Sequence, residues 1–196
     1  MSSRDAILTR LRDNRPAPAE HPLPPVARLG DMDNGQARFE NSLQILGGQI
    51  LERQQGDTLA TAIARRFPDA RLICSAVPEF DGTIRIQDLA SPQQAATVDV
   101  LVVRAPFGIA EMGSIFLSEA QLHNLNSAAH LTQHIVVILS PADLTANMHT
   151  AYIERPEFKT AKYGVLMSGP SATADIQGVL IRGAQGVRSL SIWWDN

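Results

Sequence analysis

The chain reads as an α/β protein with an open, mostly parallel sheet flanked by helices. Short apolar runs rich in Val, Ile and Leu recur at 71–74, 98–103, 135–139, 163–167 and 189–193. They do not alternate cleanly with polar residues, as expected of strands covered on both faces. Helical stretches fall between several of them, and such alternation implies parallel strands joined by crossovers. With 196 residues, 44% of them apolar, the chain can bury one full-sized core.

Taken in order, residues 3–12 predict a short helix capped by Ser2 or Ser3, with Ile7, Leu8 and Leu11 as its stripe. Pro16, Pro18, Pro22, Pro24 and Pro25 then make an extended tether, so 1–34 reads as an arm and 35–196 as the domain. The arm is a candidate contact with its own domain or with a second copy of the chain. Phe39, Leu43 and Leu46 share a helix face that Gly47-Gly48 ends, and a strand over 49–53 follows. Asp57 is placed to cap a helix whose face holds Leu59, Ile63 and Phe67. Ser91-Pro92 opens another helix, and 142–154 and 173–182 read as two more. Of Trp193 and Trp194, one is expected in the core and the other at an edge or interface.

The net charge of −3 argues against a nucleic-acid binder, which carries a basic stripe. The first residues lack the roughly 7–15-residue apolar stretch of a signal peptide, and no run approaches the ~20 residues of a membrane span, so a cytoplasmic chain is expected. Cys74 is the one cysteine; it sits in an apolar run and reads as a buried strand residue. A thiolate-held iron–sulfur cluster needs about four cysteines, so none is expected on this chain alone.

Two turns can carry chemistry. Ala110-Glu-Met-Gly-Ser114 follows the strand at 98–103, and ligands of open α/β sheets sit outside the carboxyl ends of strands. There Glu111 is a candidate nucleophile, base or acceptor, with Gly113 and Ser114 admitting close approach. The second turn, Ser168-Gly-Pro-Ser-Ala-Thr-Ala-Asp175, leads into the helix expected at 173–182. Free amides at a helix N-terminus bind anions, and Ser168, Gly169, Pro170, Ser171, Thr173 and Asp175 are the candidate binding residues. Gln185, in the later Gly183-Ala-Gln-Gly186, is a further candidate. The plain alternatives are an exposed turn glutamate and a merely well-capped helix.

No Gly-x-Gly-x-x-Gly follows a strand, and there is neither a P-loop nor a Gly-x-Ser-x-Gly elbow. His130 and His134 are four apart, but His134 leads straight into a strand, so a metal pair is not expected.

Ser168-Gly-Pro-Ser-Ala-Thr-Ala-Asp-Ile176, with Ala110-Glu-Met-Gly-Ser114 before it, resembles the LUD domain family, and within it the lactate utilization protein C branch, over roughly 35–195. The resemblance implies a fold of the sugar-phosphate isomerase and CoA-transferase group. It implies a role in oxidation of L-lactate to pyruvate, beside partner subunits that carry the iron–sulfur clusters, with a small carboxylate as ligand. The chain departs from the family pattern at Ala172, usually Arg, at Gln177, usually Glu, and at Gln185, usually His. These changes remove a bidentate donor and a proton carrier, which marks a divergent member. Two other readings stand beside this one: a non-catalytic assembly subunit, and an acyl- or CoA-transferring enzyme with Glu111 as nucleophile.

Overall fold

The structure is a computed structural model that describes residues 2–16, 35–174, 178–184 and 186–195. Helix α1 (Ser3–Asp13) opens with a reciprocal cap between Ser2 and Asp5, which satisfies free amides at both ends of the turn. None of its residues is buried, and Ile7 and Leu11 stand 57% and 65% exposed. Helix α2 (Gln36–Ile45) buries Phe39 and Leu43. Leu46, expected on the same stripe, is instead its exposed C-cap, because Gly47 at φ +86° turns the chain away before another helical turn can form.

Strand β1 (Gln49–Ile50) follows, shorter than expected, and then helix α3 (Leu59–Arg66). The cap of α3 is Thr58 rather than Asp57. The Thr58 hydroxyl accepts from the Thr61 amide at 3.2 Å. Asp57 instead accepts from Arg65 at 2.6 Å and from the Gln54 amide at 2.8 Å. The Arg65 guanidinium, then the Gln54 amide, hold its carboxyl down at about 2, against an ordinary 3.8. A carboxyl depressed in the folded state stabilises above its unfolded pKa and loses that contribution as pH falls through the folded one. Asp57→Asn is therefore expected to flatten the loss of stability between pH 3.8 and about 2, read as the urea midpoint against pH.

Next come β2 (Ile73–Ser75), β3 (Ile84–Arg85), α4 (Pro92–Ala95) and β4 (Val100–Arg104). Beyond them lie β5 (Gly108–Ile109), β6 (Ser114–Ser118), α5 (Ala128–Leu131) and β7 (His134–Leu139). The chain goes on through β8 (Leu144–Thr145), α6 (Met148–Glu154), α7 (Glu157–Thr160) and β9 (Gly164–Met167). It closes with β10 (Ala172–Thr173), β11 (Ile181–Arg182) and β12 (Ser189–Trp194).

The central sheet has six strands in the order β1-β12-β7-β4-β2-β3, every pair parallel. Alternate residues of its middle strands face opposite layers. Val100, Val102, Val136 and Ile138 pack with Ala62, Ile63 and Phe67 beneath α3. Leu101, Val103, Ile135 and Val137 pack with Phe39 and Leu43 of α2 on the other face. Cys74 lies in this second layer, and burial pushes its thiol up to about 11. The two tryptophans divide the same way: Trp193 joins the α3 side and Trp194 the α2 side. Both are core, so neither is left for an edge. The Trp194 indole N–H donates to Glu40 at 2.8 Å, while the Arg53 guanidinium lies 4.2 Å from the Trp193 ring centre.

A second sheet of four strands, β8-β5-β6-β9, covers the α2 side. Strands β5 and β8 pair in parallel just beyond β4 and β7, while β6 runs antiparallel to both β5 and β9. The run at 163–167 is thus a strand, but of this sheet and not of the parallel one. The helix expected over 142–154 begins only at Met148, where Asn147 caps it; Leu144-Thr145 is taken by pairing with Gly108-Ile109. Phe107, Phe116 and Phe158 seal the outer face under α6 and α7, with Phe107 and Phe116 stacked at 5.0 Å.

The helix expected at 173–182 does not form. In its place β10 and β11 make an antiparallel pair, Ala172 opposite Arg182 and Thr173 opposite Ile181. β-Branched Thr173, Val179 and Ile181 suit a strand, and Gly178 at φ +72° is a turn conformation no helix interior holds. Asp175, Ile176, Gln177 and Gln185 lie outside the described residues.

Candidate functional site

The two motif turns meet. Strands β6 and β9 are antiparallel with Ile115 opposite Met167, so the residue before Ile115 and the residue after Met167 face one another. These are Ser114 and Ser168, whose hydroxyl oxygens lie 2.5 Å apart, with Ser114 fully buried.

The C-terminal turn of α2 is wedged between the same two loops. A Cβ on Gly113, at φ +56°, would lie 2.1 Å from the Leu43 amide nitrogen. A Cβ on Gly169, at φ +154°, would lie 2.6 Å from the Leu46 carbonyl oxygen. Both glycines are therefore demanded by close backbone approach as well as by φ. Their first task is to seat α2.

Beside Ser168 opens a cleft of about 450 Å³. Val165 to Ala172 line it along the chain, with Leu46, His130, Gly186 and Val187 opposite. Predicted residues Ser168, Gly169, Pro170 and Ser171 thus belong to one cavity. Thr173 lies in β10 just outside it.

The Ser171 amide, expected to be among those left free, is already engaged. It donates to the Val187 carbonyl at 2.8 Å, and the Ser171 carbonyl accepts from Gly183 at 2.6 Å. With no helix beginning here, an anion site at a helix N-terminus is overturned.

Glu111 does not line the cleft. Its amide donates to Ala146 at 3.0 Å, and its exposed carboxylate faces the first amide of α6, Met148, at 3.5 Å. That is a favourable place for a negative charge, which gives Glu111 a structural use at the start of α6.

Sequence reasoning missed His130. Its Nε2 lies 2.7 Å from the Tyr163 hydroxyl, and it is the titratable side chain lining the cleft among the described residues. Burial raises the Tyr163 phenol above its ordinary value. The sequence showed only His130 and His134, four apart; α5 ends at Leu131, so the two share no helix face. His134 instead bonds Ser189 at 2.8 Å, and no metal-holding cluster occurs among the described residues.

Among the described residues, no arginine or lysine lines the cleft. Arg104 is engaged by Glu79 and Asp195. Arg182, the cross-strand partner of Ala172, sends its guanidinium to Gly47. What remains is a pocket with apolar walls, serine hydroxyls and one imidazole, suited to a small polar molecule with an apolar side.

This is a mixed α/β protein: a parallel sheet covered by helix on one face, and by helix and a second sheet on the other. The LUD domain family model matches residues 32–192, and the chain belongs to that family, which is associated with lactate utilization. The fold is similar to the crystal structure of a DUF162 family protein from Deinococcus radiodurans. The TM-score is 0.58 at 13% identity, over 81% of this chain and 94% of that one. No curated protein matches the sequence. Among the described residues, no helix is long and apolar enough to cross a membrane.

Proposed function

We propose that the chain is a subunit of a system oxidising L-lactate to pyruvate, of the lactate utilization protein C branch. In this reading it holds a small carboxylate, or the anionic part of a cofactor, in the cleft beside Ser168. The observation that carries it is the Ser114–Ser168 contact, which joins the two family-like motifs at the wall of one cavity. The Ser171 hydroxyl and the His130 imidazole are the polar groups available to a carboxylate there, and Leu46 and Val187 suit a methyl group. Oxidation must hand electrons to an acceptor. Cys74, the one thiol, is buried and held protonated, so this chain does not fit an iron–sulfur cluster. The reading places such clusters on partner subunits.

Reconstitution with those partners tests it. Lactate oxidation is expected to require this chain and to fall at least about tenfold with Ser171→Phe, whose ring fills the cleft. An undiminished rate without the chain, or with the filled cleft, contradicts the reading.

A second reading, a non-catalytic assembly subunit, is favoured by α1, whose apolar stripe is exposed. It expects a chain lacking 1–34 to lose partner subunits in sedimentation; equal association removes it.

A further inference from the structure

Among the described residues, strand β1 forms one margin of the central sheet and pairs only with β12. The Leu51 amide donates to Ile192 at 2.8 Å, so that amide points toward β12. Successive backbone groups of a strand point to opposite sides, which turns the Ile50 N–H and C=O outward. An open strand margin is a template for pairing with another chain.

Along this margin runs a groove of about 730 Å³, floored by residues 47–52. Arg65 and Arg66 of α3 form one wall, and Gln44 and Arg182 close the other side. Arg65 is neutralised by Asp57. Among the described residues, Arg66 donates to the neutral Gln49 side chain at 2.7 Å and lies over the Phe67 ring, with no carboxylate partner. Arg182 has no carboxylate partner among the described residues; its guanidinium rests on Gly47, 2.6 Å from where a Cβ would stand. Among the described residues, Glu52 is the one acidic residue lining the groove. A chain of net charge −3 thus sets, among the described residues, two guanidinium groups without a carboxylate partner beside the outer edge of β1.

We propose that this groove receives an extended acidic segment of a partner protein, added as a strand against Ile50 with its carboxylates on Arg66 and Arg182. The backbone pairing supplies register, and the arginines, which bind carboxylates bidentately, supply the choice of sequence. A single small anion would use neither the length of the groove nor the outward amide.

The test uses the full chain and the synthetic peptide acetyl-Val-Glu-Val-Glu-Val-Glu-amide. Binding is expected by fluorescence anisotropy, weakening with salt and falling about tenfold with Arg182→Ala and further with Arg182→Glu. Arg182 is exposed, so both variants should keep the parent thermal midpoint. The bound peptide should also slow hydrogen exchange at the Ile50 amide. The proposal is overturned if the Lys-for-Glu peptide binds as well, or if the acidic peptide fails to bind at millimolar concentration. It is equally overturned if the peptide binds without protecting Ile50 and is displaced by inorganic pyrophosphate, which would make the groove a site for small anions.

Discussion

Gly113→Ala is expected to destabilise the protein by about 3–5 kcal/mol, at the upper end for a single substitution. Two penalties coincide. An alanine at φ +56° carries the left-handed penalty of roughly 1–2 kcal/mol. Its Cβ would also stand 2.1 Å from the Leu43 amide nitrogen and 2.5 Å from its Cα. These are backbone atoms inside a helix, so relief requires moving α2 as a body, and α2 is held by the buried Phe39 and Leu43. Urea denaturation measures the loss as a lower midpoint at unchanged slope. An alanine variant within about 1 kcal/mol of the parent would mean that α2 does not rest on this turn.

Phe39→Ala should cost about 3–5 kcal/mol by leaving a cavity. The ring is fully buried and meets Trp194 edge-on at 5.5 Å. It also lies against Gly108, whose notional Cβ would be 3.0 Å from the ring. Phe39 thus touches the end of the parallel sheet and the start of the second sheet at once. Its loss should loosen the seat that orders the two motif turns. Protection of the Trp194 indole N–H, bonded to Glu40, is expected to fall with it.

The parallel strands were legible because burial on both faces leaves continuous apolar runs at 100–104, 134–139 and 189–194. The second sheet was not. Strand β6 sits in a short Ser-Ile-Phe-Leu-Ser stretch just after a glycine turn, and β9 pairs with it across a long sequence interval. Nothing local in 164–167 says which sheet receives it. The segment beginning at Ser171 has a serine and a threonine, Ser171 and Thr173, where a helix cap would have them. The hydrogen bonds from Ser171 to Val187 and from Gly183 to Ser171 decide otherwise, and they are tertiary. The meeting of the two turns was legible as an expectation, but the contacting residues were partly wrong. The chain reverses at 110–113, which sends Glu111 to α6 and leaves Ser114 to meet Ser168. His130 was hidden because its partner Tyr163 lies on a different element.

On the proposed function, the cavity walled by Ser168 to Ala172 and His130 takes the ligand. Crystals soaked with L-lactate and with pyruvate test it most directly. Ordered density is expected against the Ser171 hydroxyl and His130, and is expected to be lost in Ser171→Phe crystals. Density that settles elsewhere for both acids, with this cleft left to solvent, would contradict it.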